Sequence, residues 1–319
     1  MNNEAGTQHP LVSVVMPVFN AALFVEEAVA SIRDQSYPWW ELLCVDDGSS
    51  DRSAEVLESL AAQDRRIRVI RSPAHAGVAS ACNAGLLQAH GDLIARMDAD
   101  DVAKPDRLER QVQYLLAHPS AVAVGGQVVM VDRFRDVISQ KRFPTEPEAI
   151  RRMMFSCMPL QQGAMLIHRG RLPRDFAWYR PGATTAEEVE LLFRFLEHGE
   201  LANLEETVLE YRLHGNNVSL RHPKKTFILT LRARLKAVFA YGYWPTLTGL
   251  LVTCCQTVVV LLLPGRWVYP VFALLRGIGP RRRHWGFGAT ASVLPRHSAL
   301  DVVSAAAPQG HGRSGGGQP

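Results

Sequence analysis

Between residues 11 and 97 the chain alternates short Val/Ile/Leu-rich runs with amphipathic stretches, and that alternation leaves few folds open. Residues 11–19, 41–45, 67–71 and 92–97 have the length and apolar content of strands, whereas 22–35, 53–63 and 78–89 repeat their apolar positions with helical period. A β-α-β-α-β-α-β series of this kind predicts an α/β fold with a mostly parallel sheet covered by helices on both faces. Ligands of such sheets sit beyond the carboxyl ends of the strands.

Three carboxylates stand at one such end, in Met97-Asp98-Ala99-Asp100-Asp101. Packed this closely they repel one another and resist ionising together, which suits a hard divalent cation whose other ligands are phosphate oxygens. An acidic loop capping the helix that starts near Pro105 would use one Asp, not three. Asn20 and Asp46-Asp47 fall at the ends of two further strands, so the polar groups converge on one edge of the sheet.

Downstream, the pattern predicts a helix over 105–117, with Leu108, Val112, Leu115 and Leu116 on one face, and a strand over 121–131. A basic linker, a helix over 146–154, a short strand over 164–168, a helix over 185–198 and an extended stretch ending at Arg212 complete a globular part spanning 11–220. Residues 1–10 are polar and read as a disordered N-terminus without a secretion signal, which leaves the globular part in the cytosol. Five cysteines without C-x-x-C spacing imply neither disulfides nor zinc and read as buried apolar residues.

The net charge of +4 hides an asymmetry: residues 221–319 hold 13 Lys/Arg against one Asp. A basic helix over 224–241 precedes the segment 245–263, which carries no charge over nineteen residues. The Pro264-Gly265-Arg266 turn then separates it from a second apolar stretch, 267–275, with Arg276 and Arg281 to Arg283 beyond. One span would leave a basic cluster on the far side, against the positive-inside tendency. Region 221–283 therefore reads as a re-entrant or interfacial hairpin on an anionic membrane surface, with Trp244, Trp267 and Tyr269 at headgroup level; a helical pair packed into the fold is the competing reading. The apolar content favours membrane over nucleic acid as partner, and 284–319, rich in Gly, Ser, Ala and Pro, reads as a disordered tail.

Four spaced motifs carry a resemblance. Val14-Val15-Met16-Pro17-Val18-Phe19-Asn20, Val45-Asp46-Asp47-Gly48-Ser49-Ser50-Asp51, Gly77-Val78-Ala79 with Asn83-Ala84-Gly85, and Arg96-Met97-Asp98-Ala99-Asp100-Asp101 resemble, in order, those of family 2 glycosyltransferases, inverting enzymes of GT-A fold. The resemblance covers residues 11–215 and implies an enzyme that moves a sugar from a nucleotide-diphosphate-sugar to an acceptor hydroxyl; the apolar, basic tail points to an acceptor on a lipid-linked cell-surface glycan. It implies donor contacts from Pro17, Phe19, Asn20, Asp46, Asp47, Asn83, Arg96 and Asp98. Physically, an Asp that accepts from a uracil-type N–H is a natural selector of the base, although Asp46-Asp47-Gly48-Ser49 would also serve as a turn and helix cap.

The same resemblance places Mn²⁺ or Mg²⁺ on Asp100, with Asp98 on metal or ribose and His214 completing the shell in some members. Imidazole suits Mn²⁺ better, and a lone histidine is as often structural. Arg212 is a candidate for a donor phosphate. Ala186-Glu187-Glu188-Val189-Glu190-Leu191 occupies the place of the family's catalytic acid motif: Glu188 aligns with its Asp, and Glu187 is the alternative base. Two departures stand out. Cys157 to Gly163 replaces an Asn-Pro…His pattern, and His75 stands where Asn is common; the altered Gln161-Gln162 segment, with the Asp-to-Glu change at 188, keeps open the alternative of a non-catalytic GT-A-like scaffold that binds nucleotide-sugar or glycan at the membrane.

Overall fold

The computed structural model describes residues 9–180, 186–214 and 223–264. Nine strands form a single sheet. β1 (Val12–Val18), β2 (Trp40–Asp46), β3 (Ile67–Arg71) and β4 (Leu93–Arg96) are parallel, in the spatial order β3-β2-β1-β4. The chain thus moves outward on one side of β1 and returns on its other side, so the order reverses between β1 and β4. A crevice opens at such a switch point. The helices between them, α1 (Val25–Arg33), α2 (Ser53–Gln63) and α3 (Val78–Leu87), sit close to the predicted positions. All seven residues of β1 are buried: Val12, Val14, Met16 and Val18 join one core cluster and Val15 the other, the period-two division of a strand covered on both faces.

Past β4 the sheet becomes mixed. β8 (Leu166–His168) runs antiparallel to β4, and β6 (Ala121–Val131) antiparallel to β8. β9 (Glu200–Arg212) lies parallel to β6, and the two-residue β5 (Val102–Ala103) pairs antiparallel with β9. The basic linker expected after residue 131 is in fact a strand: β7 (Val137–Lys141) folds back antiparallel on β6. Asp132 makes the turn, accepting from the backbone N–H of Phe134 and Asp136. One exposed edge allowed β7 its charged residues, and those hid it from a hydrophobicity pattern.

Helix α4 (Arg107–Ala117) buries two polar side chains that the apolar pattern does not account for. Gln111 Nε2 donates to the carbonyls of Ala164, Val124 and Gly125, and Arg107 Nη2 to that of Arg96, so the helix fastens the end of β4 to its neighbours. α5 (Pro147–Met153) and α6 (Glu187–Phe195) cover the other half of the sheet.

Two C-terminal helices pack against the rest of the fold. α7 (Pro223–Ala240) docks on α6 through Lys236, whose Nζ lies 2.8 Å from Glu190 Oε1, and the following Tyr241 hydroxyl donates to the same oxygen. α8 (Leu247–Leu262) is tied to the fold by Thr253, which donates to the Phe155 carbonyl, and Gln256, which donates to that of Ser156. Leu247, Leu251, Val258, Leu261 and Leu262 on the same helix are exposed. No helix among the described residues is long and apolar enough to cross a membrane. The second hairpin arm, 267–275, the basic cluster beyond it and the 284–319 tail lie outside the described residues. Cys44 and Cys82 are buried as expected, but Cys254 and Cys255 are exposed on α8.

Candidate functional site

The acidic loop leaves β4 at the switch point. Its first carboxylate, Asp98, takes a 2.7 Å hydrogen bond from Arg96 Nη2. Arg96 is buried, and its Nε and Nη1 have no hydrogen-bond partner within the protein. Such donors are costly to leave unpaired. Gly163 closes one side of the loop: a Cβ there would lie 2.8 Å from Asp98 Oδ2 and 3.3 Å from Asp101 Oδ2, so only glycine lets this backbone approach the acids.

Asp100 and His214 meet although 114 residues separate them: Asp100 Oδ2 lies 2.8 Å from His214 Nε2. The reason is the pairing of β5 with the end of β9, which registers Val102 against Glu210 and carries the acidic loop alongside the residues that follow Arg212. Phe24 stacks on the imidazole at 5.0 Å between centroids. The third acid differs from its neighbours. Asp101 is buried, accepts the backbone N–H of Arg212 at 2.9 Å on Oδ1 and leaves Oδ2 unpartnered. Burial, then the charges of Asp100 and Asp98, push its pKa well above the usual carboxylate range.

Arg212 does not present its guanidinium to the crevice. Nε donates to the Asp100 carbonyl at 2.8 Å, Nη1 to that of Arg133 at 2.9 Å, and Nη2 lies 2.5 Å from Glu27 Oε2. With its side chain buried, it holds the loop in place rather than facing a phosphate as expected. Arg107 lies beneath the same loop, fully buried, its pKa pulled down to about 10 by that burial while Asp101 opposes the shift. A lone Arg at a helix start carries no sequence signal for this role.

The first turn of α6 comes within electrostatic reach of the acidic loop. Glu188 is partly buried, and its pKa is pushed up to about 7: burial raises it, Arg96 opposes, Asp98 raises it further and Lys141 opposes. Glu187, also raised by burial, accepts the backbone N–H of Arg180 and interacts with Glu190, Arg180 and Arg194. Of the two, Glu188 is the one electrostatically linked to the acidic loop.

Tyr179 lines the same space and was not legible as a site residue. Its hydroxyl accepts from Gln162 Nε2 at 2.8 Å, and burial drives its pKa well above the ordinary tyrosine value. Asn83, expected at the donor, instead clamps the Tyr179 backbone: Nδ2 donates to its carbonyl at 2.7 Å and Oδ1 accepts its N–H at 3.2 Å. Gln162, in the segment that departs from the family pattern, is thus part of the wall of this space.

The remaining predicted residues gather where β1, β2 and β3 end. Pro17 pairs with Val45 inside the sheet. Asn20, in the left-handed region at φ +50, accepts the backbone N–H of Ser50 and Asp51 on Oδ1. Asp46 is buried and accepts from the Ser49 N–H at 3.2 Å. Asp47 accepts from the N–H groups of Ala76 and Gly77 at 2.9 and 2.8 Å, and His75 Nδ1 lies 2.8 Å from its Oδ2. Phe19 is half-exposed and stacks on the His75 ring. These contacts are those of the turn reading of Asp46-Asp47: both carboxylates hold the loops at the strand ends.

Among the described residues no three His, Cys, Asp or Glu side chains converge to hold a metal. Asp100 and His214 offer an adjacent carboxylate oxygen and imidazole nitrogen, both partly accessible. Two protein ligands suit a hard cation that keeps its other positions for phosphate and water.

The profile described as Glycosyl transferase family 2 matches residues 13–177. A Bacillus subtilis protein named for teichuronic acid biosynthesis, TuaG, is 30% identical over 217 residues, covering 66% of this chain and 82% of its own. Staphylococcus aureus TarS, solved in complex with UDP-GlcNAc, superposes with a TM-score of 0.59 at 16% identity over 72% of this chain and 67% of its own. The mannosyltransferase PcManGT of Pyrobaculum calidifontis, solved with GDP-Man and Mn²⁺, gives 0.55 at 18% identity over 85% of this chain and 87% of its own. With the profile covering half of the chain and the sheet order, acidic loop and α6 motif arranged about one crevice, the chain belongs to glycosyltransferase family 2 and has a GT-A-like fold.

Proposed function

We propose that this protein is an inverting glycosyltransferase that moves a sugar from a nucleotide-diphosphate-sugar to an acceptor hydroxyl of a cell-surface glycan. The observation that carries the reading is the placement of Glu188, with its pKa near 7, within electrostatic reach of an acidic loop in which Asp100 and His214 already adjoin. A carboxylate titrating near neutrality is matched to taking a proton from a hydroxyl at physiological pH.

In this reading Asp98, steadied by Arg96, orients the donor, and Arg212 and Arg107 hold the loop that carries it. Glu188 accepts the acceptor hydroxyl's proton while that oxygen attacks the anomeric carbon and the diphosphate leaves from the opposite face. Mn²⁺ or Mg²⁺ held by Asp100 and His214 would neutralise charge on the leaving diphosphate. The UDP-GlcNAc bound to TarS and the GDP-Man bound to PcManGT support a nucleotide-sugar donor, and TuaG's name supports a polymer acceptor. A thermal-shift panel of UDP- and GDP-sugars with MnCl₂ tests this: one donor should raise the melting temperature in a metal-dependent way and be slowly hydrolysed to the nucleoside diphosphate. Binding without any turnover would instead support a scaffold, and no binding at all would end the reading.

The exposed leucines and valine of α8, with Trp244 beside them and Lys224 and Lys225 at the start of α7, support attachment to the cytosolic face of an anionic membrane, where a lipid-linked acceptor would be met. The full chain should float with anionic vesicles and resist extraction by high salt. Leu251→Asp with Leu261→Asp should abolish flotation and leave donor binding unchanged, because both side chains point away from the fold. Flotation retained by that pair would place the attachment elsewhere or nowhere.

A further inference from the structure

The two aromatic rings at the ends of β1 and β3 bear on nucleotide selection. Phe19 follows β1 and is 44% exposed, and His75 lies in the loop between β3 and α3. Their ring centroids are 3.9 Å apart at 23° between planes. His75 Nδ1 is 2.8 Å from Asp47 Oδ2, which sets the edge of the imidazole against the carboxylate. The histidine side chain is 53% exposed, whereas that of Asp47 is 3% exposed.

A flat ring laid on Phe19 with a ring nitrogen against a buried carboxylate fills the place that a planar base bearing a ring N–H would take at this strand end. We propose that His75 occupies the nucleobase position, covering both Phe19 and Asp47, and must swing out before a nucleoside diphosphate can seat its base. This role rests on the proposed use of a nucleotide-sugar donor.

The loop is built so that the ring can leave without it. Asp47 holds the backbone independently through the N–H groups of Ala76 and Gly77. Gly48, at φ +73, keeps the second loop in contact: a Cβ there would fall 2.9 Å from the His75 nitrogen. A side-chain rotation is therefore enough to uncover the site, and rotamer changes of exposed residues are fast. The imidazole thus acts as an intramolecular competitor. It lowers the population of the binding-competent state, and the apparent affinity for any nucleotide falls by that fraction. Asparagine at this position would keep a polar side chain beside Asp47 but no ring over Phe19.

Calorimetric titration of the full chain with UDP and with GDP in the presence of MnCl₂ tests the proposal, with inorganic pyrophosphate as the probe that lacks a base. His75→Ala should lower the nucleotide Kd on the order of tenfold, the scale of one aromatic ring contact. His75→Asn should give a smaller gain, and Phe19→Ala added to His75→Ala should cancel it. Pyrophosphate affinity should not change. A nucleotide Kd in His75→Ala that rises, or falls by less than twofold, overturns the proposal, because the imidazole would then be a wall of the site or a bystander; an equal gain for pyrophosphate overturns it too. Should His75→Ala not fold, the same criteria apply to His75→Asn, with the twofold threshold. Nucleotide binding by the parent with no gain in the variants removes this proposal alone, whereas no binding by either removes the donor reading as well.

Discussion

Asp100→Ala is expected to lower sugar transfer on the order of a thousandfold or more, because stabilising the charge on a leaving diphosphate is worth several kcal/mol and each 1.36 kcal/mol is a factor of ten. The variant should still fold. It is the backbone carbonyl of Asp100 that receives Arg212 Nε, and alanine retains that carbonyl, while the carboxylate itself is partly accessible and meets His214 rather than the core. His214→Ala should produce a smaller loss in the same metal-dependent parameter, since in the proposed site the imidazole is one of two protein ligands. The measurement is the initial rate against MnCl₂ concentration, with melting temperature as the check on folding. A folded Asp100→Ala variant that transfers sugar at near the parent rate would remove the acidic loop from the reaction.

Glu188→Gln should lower kcat by about a hundredfold to ten-thousandfold while donor affinity stays near that of the parent, the range expected when a general base is lost. The amide keeps the shape of the side chain but cannot take a proton. Because the base works only when ionised, parent kcat should rise with pH and level off above about 7, and that acid limb should vanish in the variant. Stability gives an independent check. The folded-state pKa of Glu188 lies above the value of an exposed Glu, so the folded state holds its proton more tightly. Stability from this group is present at low pH and lost as pH rises from the unfolded value through about 7. Glu188→Gln should therefore narrow the stability difference between pH 5 and pH 8 that the parent shows. If Glu187→Gln carries the rate loss and Glu188→Gln does not, the roles of the two acids are exchanged, although the contact of Glu187 with the Arg180 backbone argues for Glu188 as the base.

Much of the parallel half of the sheet was legible in the residues because its signals are local. A strand covered on both faces, such as β1, must be apolar throughout, so it declares itself. The acids at the end of β4 declared themselves too, since three adjacent carboxylates have no cheap structural use. β7 was missed because an edge strand can be half polar, and Val137 to Lys141 alternates too weakly to separate it from a linker. Asn83 and Arg212 were assigned to the donor from the motifs they occupy, yet their hydrogen-bonding groups are engaged by Tyr179 and by Asp100, Arg133 and Glu27. A motif conveys which residue types are present, and it does not convey what a long side chain reaches.

The C-terminal segment makes the same point from the opposite side. Its length and lack of charge suggested membrane contact, and Leu251 and Leu261 do lie exposed. Thr253 and Gln256, which in sequence only diluted the hydrophobicity, turn out to be the residues that fasten α8 to the carbonyls of Phe155 and Ser156. One face of the 245–263 segment is therefore packed into the fold, and the opposite face is left apolar and exposed.

By itself, then, the sequence determined the parallel half of the sheet, the edge at which a ligand would sit and the chemical types of the groups there, because strand period, helix period and strand-end acids act over a few residues. Tertiary structure alone decided that His214 stands beside Asp100, that Asp101 is the buried acid of the loop, that Glu188 rather than Glu187 is linked to the loop, and that His75 lies on Phe19. Each of these depends on the pairing of β5 with β9, on desolvation, or on the approach of two loops. Those are properties of distances between residues far apart in the chain, and no local pattern encodes them.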